Sequence, residues 1–295
     1  MEEELLSLIF DYSINRKIAD NAFCDRLIEI VLNHRDLHDF VKDAYYIRGE
    51  EGAKNDKTAA YYMSVDRKVV VDFDNIESRL NYLKLIDPKF NELEVYLIRN
   101  IIIARTLLHE LEHANQIKKV ATGQNGLDAR ILELSPIYIN LKSILDLLNR
   151  GLSREEAESI VEPLKAQYLQ FYKSDPSERM AEIDSYKTTN SILNMISKPI
   201  PFVRRHQNSE FAYTLLDGYK ENTDVFPNAP TLNNLYYLGS LNRLSIAGYS
   251  IKDFREFFTA ISAMPLDKRL YYGLTISNSE YENIMGSAKG NNIFR

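Results

Sequence analysis

The stretch Ile101-Ile102-Ile103-Ala104-Arg105-Thr106-Leu107-Leu108-His109-Glu110-Leu111-Glu112-His113 decides how this chain is built. Its first half is apolar on nearly every side, which marks a helix sunk in a core rather than one lying on a surface. Its second half sets two histidines four residues apart, on one face and one turn from each other, with a glutamate directly after the first. A chain with only 5 His seldom produces that spacing by coincidence. Histidines continuing a buried helix lie near the interior themselves, where their ring nitrogens need partners.

Working outward, this helix is expected over residues 91–120, stopped by Thr122-Gly123-Gln124-Asn125-Gly126. Before it, an amphipathic helix over 75–86 is closed by Asp87-Pro88. After it, a helix over 127–150 ends at Gly151, and another over 153–173 opens on the capping box Ser153-Arg154-Glu155-Glu156. Asp175-Pro176-Ser177 then caps a helix over 178–196. Lys198-Pro199-Ile200-Pro201 breaks the pattern, and short helices follow to the end, with a loop at Pro227 and Pro230. The one clear β signal is the Tyr- and Val-rich pair 58–65 and 68–73, joined at Asp66-Arg67 as a hairpin. Residues 2–47 read as two or three helices, from Leu5, Leu6, Ile9 and Phe10 and from Leu27, Ile28, Val31 and Leu32, and 49–56 as a polar loop. The fold class is α+β, predominantly helical, with a small sheet placed before the histidine-bearing helix. The expected organisation is an N-terminal helical segment 1–57, a core 58–197 and a helical C-terminal part 198–295.

Composition narrows the functions. The chain has 295 residues, is 45% hydrophobic and 26% charged, and carries a net charge of −6, so it offers no overall basic field for a phosphate backbone and no nucleic-acid partner is expected. Cys24 is the sole cysteine, which leaves histidines and carboxylates to hold any metal. Met1-Glu2-Glu3-Glu4 is acidic where a secretory signal is basic, and no apolar run reaches the ~18 residues of a membrane span. A cytoplasmic address with no membrane partner is the expectation.

His109 and His113 can direct two imidazoles at one point, and Glu110, about 100° further round, reaches a water beside that point rather than the point itself. Zinc is the cation that such a set serves, held by two imidazoles and one carboxylate with a fourth position open. The third ligand is sought downstream in Ser177-Glu178-Arg179-Met180-Ala181-Glu182-Ile183-Asp184. Glu178 and Glu182 are one turn apart and face the same way. One can bind the metal while the other accepts the spare N–H of a histidine ligand, and read alone the pair also suits a solvated acidic face.

His109-Glu110-Leu111-Glu112-His113 followed by Glu178-Arg179-Met180-Ala181-Glu182 resembles the gluzincin branch of the zincin metallopeptidases, over two short stretches within residues 58–190. The resemblance implies zinc bound by His109, His113 and Glu178, with Glu110 as general base. It implies that Glu182 supports a ligand histidine in place of the family's Asp. Glutamate is one methylene longer than that Asp, and the other phase, with Glu182 as ligand, stays open. The resemblance also implies that an edge strand, here 68–73, pairs with extended substrate, and that a residue such as His206 stabilises the oxyanion.

His34 and His38 share the four-residue spacing, but no Glu follows His34, and a solvated helix junction is expected there. Cys24 reads as a small core residue beside Phe23 and Leu27. The function expected is zinc-dependent hydrolysis of a peptide or protein substrate. Two others are kept in view: a non-catalytic regulatory or interaction module that retains the fold, and amide hydrolysis on a non-peptide substrate.

Overall fold

A computed structural model of the chain describes residues 1–17, 20–49, 59–86, 92–123, 129, 132–133, 136–169 and 176–197. The expected C-terminal part 198–295, with His206 in it, lies outside the described residues. Among those residues two compact units are distinguished, Met1–Asn115 with the chain from Ala181, and Gln116–Met180.

In the first unit, α1 (Glu2–Ile14) and α2 (Asn21–Arg35) form where the apolar spacing places them. Asp20 caps α2 by accepting from Phe23 N, and Asp36 closes it in the left-handed region at φ 51°. Three strands follow: β1 (Asp43–Ile47), β2 (Ala60–Met63) and β3 (Lys68–Asp72). The expected hairpin is present, with β2 antiparallel to β3 and Tyr61 opposite Val70. The turn takes Arg67 to φ 56°.

Two expectations are corrected here. Residues 2–47 are not all helical, because β1 occupies their last five positions and pairs in parallel with β3, Tyr45 opposite Val70. Five residues with one buried side chain hold too little alternation to announce a strand, and the partner that makes β1 a strand is 25 positions along the register, Asp43 to Lys68. The second correction concerns which strand is at the edge. The sheet order is β1-β3-β2, so 68–73 supplies the central strand, buried from Val69 to Asp72, and not an edge. The burial of successive residues on β3 is that of a strand covered on both faces.

Asp72 ends β3 and caps α3 (Phe73–Ile86), its Oδ1 accepting from Asp74 N at 3.0 Å and Asn75 N at 3.1 Å. Next comes α4 (Glu92–Thr122), the histidine-bearing helix. Leu97, Ile98, Ile101, Ile102, Ile103, Ala104, Leu107, Leu108 and Leu111 are all buried, on every side of it. They form one core with Leu5 and Ile9 of α1, Phe23, Leu27 and Val31 of α2, Val69 and Val71 of β3, and Phe73, Ile76 and Leu80 of α3. Cys24 is fully buried in the same core, and burial pushes its thiol up to about 12. His34 meets Glu4 at 3.2 Å and His38 meets Asn33 at 3.0 Å, both at the half-open end of α2, as a solvated junction requires.

In the second unit, α5 (Pro136–Asn149) and α6 (Arg154–Leu169) make a helical hairpin. Gly151, at φ 91°, ends α5: Leu152 N donates to Leu147 O at 3.3 Å and Gly151 N to Leu148 O at 2.9 Å, the paired bonds of a Schellman close. The capping box then opens α6. Glu156 N donates to Ser153 Oγ at 3.2 Å, and Ser153 N donates to Glu156 Oε2 at 2.8 Å. The last helix among the described residues, α7 (Pro176–Ser197), has its first turn in this unit and belongs to the first unit from Ala181; it starts on Pro176, whose missing N–H costs nothing at that position. Among the described residues no helix is long and apolar enough to cross a membrane.

Two outcomes are expected. The thiol of Cys24 stays silent toward a disulfide reagent in the native protein and reacts fully once urea unfolds it; prompt reaction of the native protein counts against the buried placement. The carboxyl of Glu156 is held below its usual range by the Ser153 backbone N–H and then by the Ser153 hydroxyl. A depressed carboxyl contributes stability that is present above its unfolded pKa and lost as pH falls through its lowered folded value. Urea unfolding of Glu156→Ala beside the wild type is therefore expected to show a deficit at neutral pH that closes in strong acid.

Candidate metal centre

The burial of α4 dictates what happens to each polar group on it. Arg99 of α4 pairs with Glu77 of α3, Nε to Oε1 2.5 Å. Asn100 donates to Ser13 Oγ of α1 at 3.0 Å. Further along come the two histidines, both half-buried. Their rings are perpendicular within 7°, at an interplanar angle of 83°, with centroids 4.9 Å apart. Their Nε2 atoms face each other at 3.3 Å. Two nitrogens bound to one tetrahedral zinc at 2.0–2.1 Å stand about 3.3 Å apart, so the pair is already at the spacing a shared cation requires. That spacing also serves a proton shared between the two rings, and a third donor is what separates the cases.

Glu178, on the first turn of α7, is the candidate for that donor. The ligand atoms of His109, His113 and Glu178 all lie within 4.8 Å of one another, and Glu178 is only 5% exposed. Two neutral nitrogens and one anionic oxygen suit zinc by donor type, with no cysteine involved. The start of α7 is anchored beside this residue: Gln116 Nε2, three positions after His113, donates to Ser177 O at 2.8 Å. Glu182 also falls on α7, and its side chain lies outside the described residues.

Glu110 is 9% exposed, and its Oε2 accepts from the backbone N–H of Tyr62 in β2 at 2.9 Å. The Tyr62 side chain is itself fixed, its hydroxyl donating to Phe40 O at 2.5 Å, and burial pushes the phenol up to about 12, so it remains a donor at working pH.

No family model, curated protein or solved structure matches this chain.

Three groups at the site escape sequence reasoning. Glu112, 1% exposed, forms an ion pair with Arg35 at the end of α2, and Asn115 Nδ2 donates to both its oxygens at 3.1 and 3.0 Å. Gln116 anchors α7, and the Tyr62 amide holds Glu110. Glu112 had a signal, since an acidic residue inside a helix buried all round must find a cation. Which cation, 77 positions away, had none. A backbone amide leaves no mark in a sequence at all.

Removing Arg35 leaves a buried carboxylate without its cation. Arg35→Ala is expected to lower unfolding free energy by about 3 kcal/mol, with Glu112→Gln added in the same chain recovering most of the loss. Chemical denaturation of the single and double variants checks this; a loss below about 1 kcal/mol, the scale of an exposed pair, contradicts it.

Proposed function

We propose that the chain is a zinc-dependent peptide hydrolase in which His109, His113 and Glu178 hold the metal and Glu110 is the general base. The observation that carries this is the convergence of those three ligand atoms within 4.8 Å, two of them at zinc-ligand spacing, with a nearly buried glutamate next in sequence to the first. A zinc ion held there supplies Lewis acidity toward a carbonyl oxygen and lowers the pKa of a neighbouring water to about 7. The chain's own residues do the rest. Glu110 takes a proton from the attacking water and passes it to the departing amine as the C–N bond breaks. In the free protein the Tyr62 N–H holds one oxygen of this carboxylate from the strand side. Glu182 supports a histidine ligand, and His206 remains the proposed oxyanion partner. A cytoplasmic setting, with a peptide or protein segment as substrate, completes the reading.

Metal analysis of purified protein, paired with hydrolysis of labelled casein, tests it. About one zinc per chain is expected, lost in His109→Ala and in His113→Ala and weakened in Glu178→Ala. Glu182→Ala is expected to cost about 10–100-fold in zinc affinity if it orients a histidine. Glu110→Gln is expected to retain zinc while kcat falls about 10²–10⁴-fold. A wild-type protein that takes up no zinc sinks the proposal.

A further inference from the structure

The bond from Tyr62 to Glu110 occupies a group that a strand-forming ligand needs. Along β2 the peptide groups alternate in direction. Ala59 O accepts from Asp72 N at 2.9 Å, and Tyr61 is in register with Val70, so the odd-numbered residues bond toward β3. Tyr62, opposite Val69, therefore turns its N–H away from β3, and there it meets Glu110 Oε2 at 2.9 Å. Among the described residues β2 is an outer strand of the sheet.

We propose that Glu110 and an extended polypeptide compete for the Tyr62 N–H, so that the base is tethered to the strand in the free protein and released when a segment of backbone pairs with β2. This rests on the reading of the site as a peptide hydrolase. The amide has one hydrogen and serves one acceptor at full strength. What replaces the carboxylate must be an oxygen presented in line with the strand, and a polypeptide offers such a carbonyl at every second residue whatever its side chains. Pairing at Tyr62 brings that backbone to the residue next to His109 and frees the carboxylate oxygen in the same event. The base is thereby delivered only where extended polypeptide is present. Compact substrates with no strand to offer leave the tether closed.

Two zinc-loaded variants that cannot turn substrate over isolate the competition. Glu110→Gln keeps a carbonyl oxygen on the Tyr62 amide; Glu110→Ala keeps no acceptor there, and both are neutral. Equilibrium binding of fluorescein-labelled oxidised insulin B chain, followed by anisotropy, is expected to be about fivefold tighter in Glu110→Ala, the worth of one neutral hydrogen bond. Glu110→Leu, which fills the side-chain volume without an acceptor, is expected to match Glu110→Ala and covers the case in which alanine loosens the helix. Equal affinities, or tighter binding by Glu110→Gln, overturn the proposal. So does an absence of peptide binding in all three variants. Zinc measured in the same samples then tells the two failures apart: with about one zinc per chain retained only the tether falls, and without zinc the metal centre falls with it.

Discussion

The constraint under which this structure is assembled is that α4 is enclosed on all sides from Leu97 to Arg105 and yet carries charged and polar side chains there and in the turns that follow. A desolvated charge without a partner costs several kcal/mol, so each such group dictates what packs opposite it. Arg99 draws Glu77 of α3, Asn100 draws Ser13 of α1, and Glu112 draws Arg35 of α2. Glu110 draws a peptide group of β2. The apolar residues of α4 supply the driving force for burial, but they are interchangeable in orientation. The polar ones set the rotation of the helix about its axis, and with it the direction of His109 and His113.

That division of labour explains how the site can be precise on a helix that has no amphipathic stripe to orient it. Glu112 lies between the base and the second histidine in sequence and is locked from one side by Arg35 and from its own helix by Asn115. Gln116 fixes Ser177, next to Glu178. The candidate ligands and base are thus flanked by residues whose bonds go elsewhere and hold the backbone still, the arrangement that a metal centre requires of its surroundings.

Much of this was legible in the residues. The apolar run 101–104 announced a buried helix, the spacing of His109 and His113 announced two rings at one point, and Ser153 and Glu156 announced a helix start that forms as written. Gly151 did the same for a helix end. What the residues did not carry was partnership across long separations. β1 is a strand only because β3 lies beside it, and 68–73 looked like an edge because nothing local distinguishes an outer strand from an inner one except the neighbour it lacks or has. The same holds for Arg35 with Glu112 and for the amide of Tyr62. Glu178 was singled out through a resemblance and its ligand atom lies within 4.8 Å of those of His109 and His113, whereas the side chain of Glu182 and the whole of His206 fall outside the described residues.

The short outer strand has one more consequence. Unoccupied donors along a sheet margin invite the same margin of another molecule, and proteins protect such margins by shortening, charging or covering them. β2 is four residues long, and the outward amide at its third position is covered by a carboxylate. Glu110 thus shields this margin of the sheet from self-association, and a chain that loses it becomes stickier toward its own copies.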